Sequence, residues 1–169
     1  MTQRSLLITG CSSGIGLASA RLLKARGWRV LATARTETDR AMLTREVGVE
    51  ALHLDLADPA SIAQCALDTL ELTDANLDAV FNNAAYGQVG AVEDLTPEVL
   101  RRQIEVNVVG THDLTRRLIP AMRAVGRGRI VQCSSVLGFV AVPYRGAYCA
   151  SKFALEALSD AMRHELKGT

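Results

Sequence analysis

"SLLITGCSSGIGLAS", residues 5–19, sets a short apolar run against a glycine-rich turn and the start of a helical pattern. The run SLLIT reads as a buried strand, and GIGLASARLLKARG, residues 14–27, repeats apolar side chains at helical spacing. Between strand and helix come Gly10, Gly14 and Gly16. Glycine allows the tight turn, lets a pyrophosphate approach backbone N–H groups at the positive end of the helix, and permits close helix–strand packing. Strand, glycine turn and helix in this order predict a dinucleotide site, with Ser12, Ser13 and Ile15 in the same turn.

Working outward, RVLATA (29–34), EALHL (50–54), LDAVFNN (77–83) and GRIVQCS (128–134) read as further strands. DPASIAQCALDTL (58–70) and TPEVLRRQIEVNVVGTHDLTRRLIPAMRAVG (96–126) read as helices. Asp58-Pro59 and Thr96-Pro97 mark their starts, each a cap residue followed by proline at the first helical position. This alternation predicts an α/β fold, a Rossmann-like doubly wound parallel sheet with helices on both faces, as a single domain over residues 1–169. Ligands in such sheets bind beyond the carboxyl ends of the strands, here the loops after Thr9, Asn82 and Ser134.

Composition narrows the partner. Hydrophobic residues are 49% of the 169 and charged residues 22%, as in an ordinary globular protein. Nineteen basic against eighteen acidic side chains leave a net charge of +1, which recruits neither nucleic acid nor an anionic membrane. No apolar run reaches the roughly 18 residues of a membrane span, and MTQRSLLITG is too soon interrupted for a signal peptide, so a cytoplasmic location is expected. Cys11, Cys65, Cys133 and Cys149 are widely spaced and never close in sequence to His53, His112 or His164. That spacing indicates neither a metal site nor a disulfide framework, leaving a small molecule as the expected partner.

At the end of the second strand, Ala34 stands where a carboxylate would grip an adenosine ribose 2′-hydroxyl, and Arg35 follows. Arginine can pair with a 2′-phosphate that a carboxylate would repel, which favours NADP(H). A shifted boundary would instead give Glu37 the acidic role, with NAD(H) as the alternative. Asp55 and Leu56 follow the third strand. Asp55 either accepts a hydrogen bond from an adenine amino group or caps the next helix in competition with Asp58.

In AYCASKFALEAL, residues 147–158, Tyr148 and Lys152 stand four apart and so share one helical face. Taken with TGCSSGIG, NNAA, NVVG and a serine thirteen residues before the tyrosine, YCASK makes the chain resemble the classical short-chain dehydrogenases/reductases over nearly its whole length. It looks most like the branch holding 17β-hydroxysteroid dehydrogenases, retinol dehydrogenases and bacterial carbonyl reductases.

That resemblance implies hydride transfer between a nicotinamide and the carbonyl or alcohol of an apolar ketone, aldehyde or steroid-like substrate, the alternative being a non-catalytic dinucleotide-binding module or an inactive fragment of such an enzyme. Tyr148 would be the general acid toward the carbonyl oxygen, and the base in reverse. A free phenol has a pKa of about 10, and bringing it three units lower needs about 4 kcal/mol of preferential stabilisation of the phenolate. Lys152 and the oxidised nicotinamide carry the right charge for this, and Lys152 would also hydrogen-bond the nicotinamide ribose. Ser135 would donate to the substrate oxygen, leaving Ser134 to satisfy the strand end. Asn107 would hold a water linking the lysine to solvent, and Asn83 and Ala84 would lie near the adenosine ribose. Phe139, Val140, Val142 and Tyr144 could form an apolar wall of the substrate site or pack within their own loop.

The chain departs from the family twice. NNAA replaces NNAG, which would strain the turn if Ala85 needed a positive φ. It also ends at MRHELKGT, before the family's later strands and substrate lid, so a C-terminally truncated domain with an uncovered fifth strand is expected. The helix over 148–166 carries apolar residues on more than one stripe, predicting a homodimer or homotetramer unless further strands of the chain cover them.

Overall fold

The computed structural model describes residues 3–169. Five parallel strands form one sheet: β1 (Ser5–Ile8), β2 (Arg29–Ala34), β3 (Glu50–His53), β4 (Ala79–Asn82) and β5 (Arg129–Gln132). Their spatial order is β3-β2-β1-β4-β5, so the winding reverses between β1 and β4. Leu7 aligns with Leu31 on one neighbour and Val80 on the other.

Side-chain alternation sorts the two faces. Leu7, Leu31 and Val80 pack with Ile62, Cys65 and Ala66 of α3 (Pro59–Leu72) and with Leu114, Leu118 and Met122 of α5 (Thr111–Ala124). Leu6, Ile8, Val30 and Ala32 turn the other way, toward Leu17, Ala20 and Leu23 of α1 (Gly14–Ala25). The doubly wound sheet expected from the sequence is therefore present, with both faces covered.

Both predicted caps form. Asp58 accepts from Ala60 N at 2.9 Å, and Thr96 accepts from Val99 N at 3.4 Å to open α4 (Pro97–Ile104). The single helix expected over 96–126 is interrupted, because a π turn at Glu105–Gly110 separates α4 from α5. A short helix that periodicity did not reveal, α2 (Glu37–Met42), follows β2, capped by Thr36.

The helix with the Tyr-Lys pair, α6 (Gly146–Glu165), packs against α4 and the π turn. Its Phe153, Ala157 and Ala161 form an exposed stripe. β5 pairs only with β4 among the described residues, and its Val131 is 50% exposed. No helix among the described residues is long and apolar enough to cross a membrane.

Candidate active site

The glycine turn is built from both sides of the β1–β4 reversal. Thr9, buried at the end of β1, accepts from Asn83 N and Ala84 N, each at 2.9 Å. Asn83 Nδ2 in return donates to Thr9 O and Gly10 O, each at 3.0 Å. Gly10 and Gly14 have φ of +71° and +56°, where a side chain would be strained. A Cβ on Gly16 would stand 2.2 Å from Gly10 O, so the helix rests directly on the turn.

This turn fits a pyrophosphate. The first bond into α1 runs from Leu17 N to Ser13 O, so the amides of Gly14, Ile15 and Gly16 precede the helical ladder. The Ser13 side chain does not cap them, and no acidic residue occupies the first turn. Gly14 faces open space.

Ala34 ends β2 and is buried, and Arg35, just beyond it, is exposed. Glu37 is not at the strand end. It opens α2 and is ion-paired to Arg40, whose Nη1 also donates to Arg35 O at 3.3 Å.

Asp55 accepts from Ala57 N at 2.9 Å in its own turn, while Asp58 takes the cap. The Leu56 side chain is buried in the core, leaving only its backbone for a ligand. Its carbonyl explains the glycine of NVVG: a Cβ on Gly110 would stand 2.1 Å from Leu56 O. Ala85 is not among the described non-glycine residues with positive φ, so NNAA leaves its turn unstrained.

On α6, Lys152 is 3% exposed, and its Nζ lies 5.5 Å from the centroid of the Tyr148 ring. The pair expected from the spacing does meet. Burial pushes the Lys152 pKa below its ordinary value, with Cys133 and Glu156 opposing. The ammonium donates to Cys133 O at 2.6 Å.

Ser134 does not satisfy the strand end as expected. Ser135, not Ser134, caps local backbone, accepting from Leu137 N at 3.1 Å, whereas Ser134 Oγ is buried without a partner. The reason is the short 3-10 turn Val136–Gly138, which places Leu137 N over Ser135. That contact uses Ser135 as acceptor and leaves its hydroxyl hydrogen available. The turn packs on α6, since a Cβ on Gly138 would stand 3.3 Å from Lys152 O.

Asn107 is 2% exposed, within the π turn. Its Oδ1 accepts from Tyr86 N at 3.1 Å, and its Nδ2 donates to Tyr86 O at 2.8 Å and Ser151 Oγ at 3.1 Å. Both amide hydrogens are thus engaged, so its side chain organises the site and has no N–H left for a water. Sequence reasoning missed Thr9, Ser151 and Gln103, a second buried amide one turn before Asn107. The i, i+4 spacing of Gln103 and Asn107 was the available signal.

Phe139, Val140, Val142 and Tyr144 are all exposed, at 69%, 50%, 40% and 64%. Tyr144 adopts φ +62°, and its carbonyl accepts from Gly90 N at 3.1 Å, tying this loop to the segment after β4.

The family description "short chain dehydrogenase" matches residues 4–169. An uncharacterized oxidoreductase, YbbO of Escherichia coli K12, is 47% identical over 98% of this chain and 61% of its own length. Human 17-beta-hydroxysteroid dehydrogenase type 1 is 35% identical over 96% of this chain and 52% of its own. A metagenomic short-chain oxidoreductase solved in complex with NADP superposes with a TM-score of 0.91 at 34% identity, covering 97% of this chain and 76% of that one. The chain thus spans about three-fifths or less of the two curated relatives.

Proposed function

The chain belongs to the short-chain dehydrogenase family, and on that premise we propose that the protein is an NADP(H)-dependent oxidoreductase interconverting a carbonyl and an alcohol. The observation that carries this reading is the buried Lys152 ammonium set against the Tyr148 ring on α6. A bound nicotinamide would supply or accept the hydride at the substrate carbon.

This chain's residues handle the oxygen. Tyr148 gives its phenolic proton to the carbonyl oxygen, and takes it back in the alcohol direction. Lys152 favours the phenolate by its charge. Ser135 donates its free hydroxyl hydrogen to the same oxygen, where negative charge develops. Asn107 holds the backbone of Tyr86 and the Ser151 hydroxyl beside them.

For the cofactor, the Gly10–Gly16 turn with Ser12, Ser13 and Ile15 takes the pyrophosphate, Arg35 the 2′-phosphate, and Asp55, the Leu56 backbone, Asn83 and Ala84 the adenosine side. The exposed Arg35 after the buried Ala34 supports NADP(H) over NAD(H). The exposed residues Phe139, Val140, Val142 and Tyr144 support an apolar substrate, in keeping with the steroid named for the human relative.

The exposed α6 stripe supports a homodimer or homotetramer, and we place the protein in the cytoplasm. The test is calorimetric titration with NADPH and NADH, followed by NADPH consumption over a panel of apolar ketones. Tighter NADPH binding and turnover abolished by Tyr148→Phe are expected; turnover that survives Tyr148→Phe overturns the acid assignment.

A further inference from the structure

Gln103 is fully buried at the end of α4, yet its carboxamide belongs neither to the core nor to helix capping. Its Oε1 accepts from Gln88 N at 2.7 Å, and its Nε2 donates to Tyr86 O at 3.0 Å. Asn107 grips Tyr86 from one turn further along, and the two amides share the Tyr86 carbonyl. The segment they hold has no strand or helix ladder of its own. Its backbone polar groups depend on these side chains.

Gly87 sits between the two gripped residues. A Cβ built on it would stand 3.3 Å from Cδ2 and 3.6 Å from Cγ of Tyr148, and 3.5 Å from Nη1 of Arg145. The Gly87 backbone therefore lies against the Tyr148 ring, and an added Cβ would press that ring aside by a few tenths of an ångström. Asn107 fixes the front of this contact, and Gln103 reaches its far side, at Gln88.

We infer that Gln103 is a positioning residue: by clamping Tyr86 and Gln88 it presses Gly87 against Tyr148 and so sets where the phenol stands relative to Lys152. This rests on the reading of Tyr148 as the proton donor. An amide is the residue type required, because one end must donate and the other accept. Leucine does neither, and an ionised glutamate only accepts. Loosening the clamp lets the ring move from the Lys152 ammonium, the charge that favours the phenolate. The Arg145 guanidinium also reaches this contact, with Nη1 3.5 Å from a Cβ built on Gly87.

The experiment needs no substrate. Tyrosinate absorbance of the intact protein, saturated with NADP⁺, is titrated against pH for wild type, Tyr148→Phe, Gln103→Leu and Gly87→Ala. The step that Tyr148→Phe removes is expected to move up by about half a pH unit or more in both other variants, toward the value of about 10 for a free phenol. Cofactor affinity is expected to stay within about twofold, since neither residue lies in the pyrophosphate turn.

Should Gln103→Leu fail to bind NADP⁺, Gln103→Glu keeps the bond from Gln88 N and Gly87→Ala perturbs the same contact from the other side. A Tyr148 step that is present in wild type and unmoved in Gln103→Leu, or in Gln103→Glu where the leucine variant does not bind NADP⁺, overturns the role of Gln103, as does loss of NADP⁺ binding in both. Absence of any step below the free-phenol range in wild type instead overturns the reading of Tyr148 itself.

Discussion

Lys152 Nζ donates to the carbonyl oxygen of Cys133 at 2.6 Å, which pins the helix bearing Tyr148 to the chain just beyond β5. The ammonium is held 5.5 Å from the centroid of the Tyr148 ring, at the expense of its own solvation. Burial lowers its pKa from the ordinary 10.5. Between the lowered value and 10.5 the unfolded chain binds more protons than the folded one, so stability rises with pH through that window. Denaturant unfolding of wild type and Lys152→Met at neutral and alkaline pH should show the wild type gaining relative stability as pH rises. A difference independent of pH would contradict the buried charge.

Arg35→Ala should weaken NADPH binding by about tenfold, about 1.4 kcal/mol, and leave NADH nearly unaffected. Calorimetric titration with each cofactor reads this directly. Equal losses for both would remove the argument for 2′-phosphate pairing.

Asn83→Ala gives the contrasting pattern. It leaves Thr9 O and Gly10 O without their shared donor, at a cost of about 1–3 kcal/mol in stability. On the proposed reading, in which the turn takes the pyrophosphate common to both cofactors, NADPH and NADH should weaken together. Urea unfolding and the same two titrations check both halves of the expectation.

Asp78 ties β1 to the segment before β5. Burial would raise its pKa, but the Ser5 amide at 2.9 Å and the Arg127 guanidinium at 3.0 Å overcome that and hold the carboxyl below its usual range. Such a lowered pKa adds stability above the unfolded value, and the gain is lost as pH falls through the folded value. Asp78→Asn should therefore cost about 1 kcal/mol at neutral pH, allowing for the exposure of Arg127. Urea midpoints should converge with the wild type in acid, and a gap that persists there would count against the ion pair.

Much of the fold is legible because its signals are local. Strand alternation, the glycine turn and the Asp58-Pro59 and Thr96-Pro97 caps each depend on neighbours within a few residues. The break at Glu105–Gly110 escaped notice because apolar periodicity continues through one widened turn. That Ser135 accepts from Leu137 N, and that the Ser134 hydroxyl does not satisfy the strand end, was not legible, since both depend on how Val136–Gly138 bends after the strand.

The sequence by itself determined the alternating α/β order, the glycine turn and the pairing of Tyr148 with Lys152, because a helix brings residues four apart together wherever it lies. Only the tertiary structure decided that Asn83 closes the turn around Gly10, that Cys133 anchors Lys152, and that Gln103 reaches Gln88. Those bonds join segments distant in the chain, and a buried polar group takes whichever partner the packed fold brings within reach.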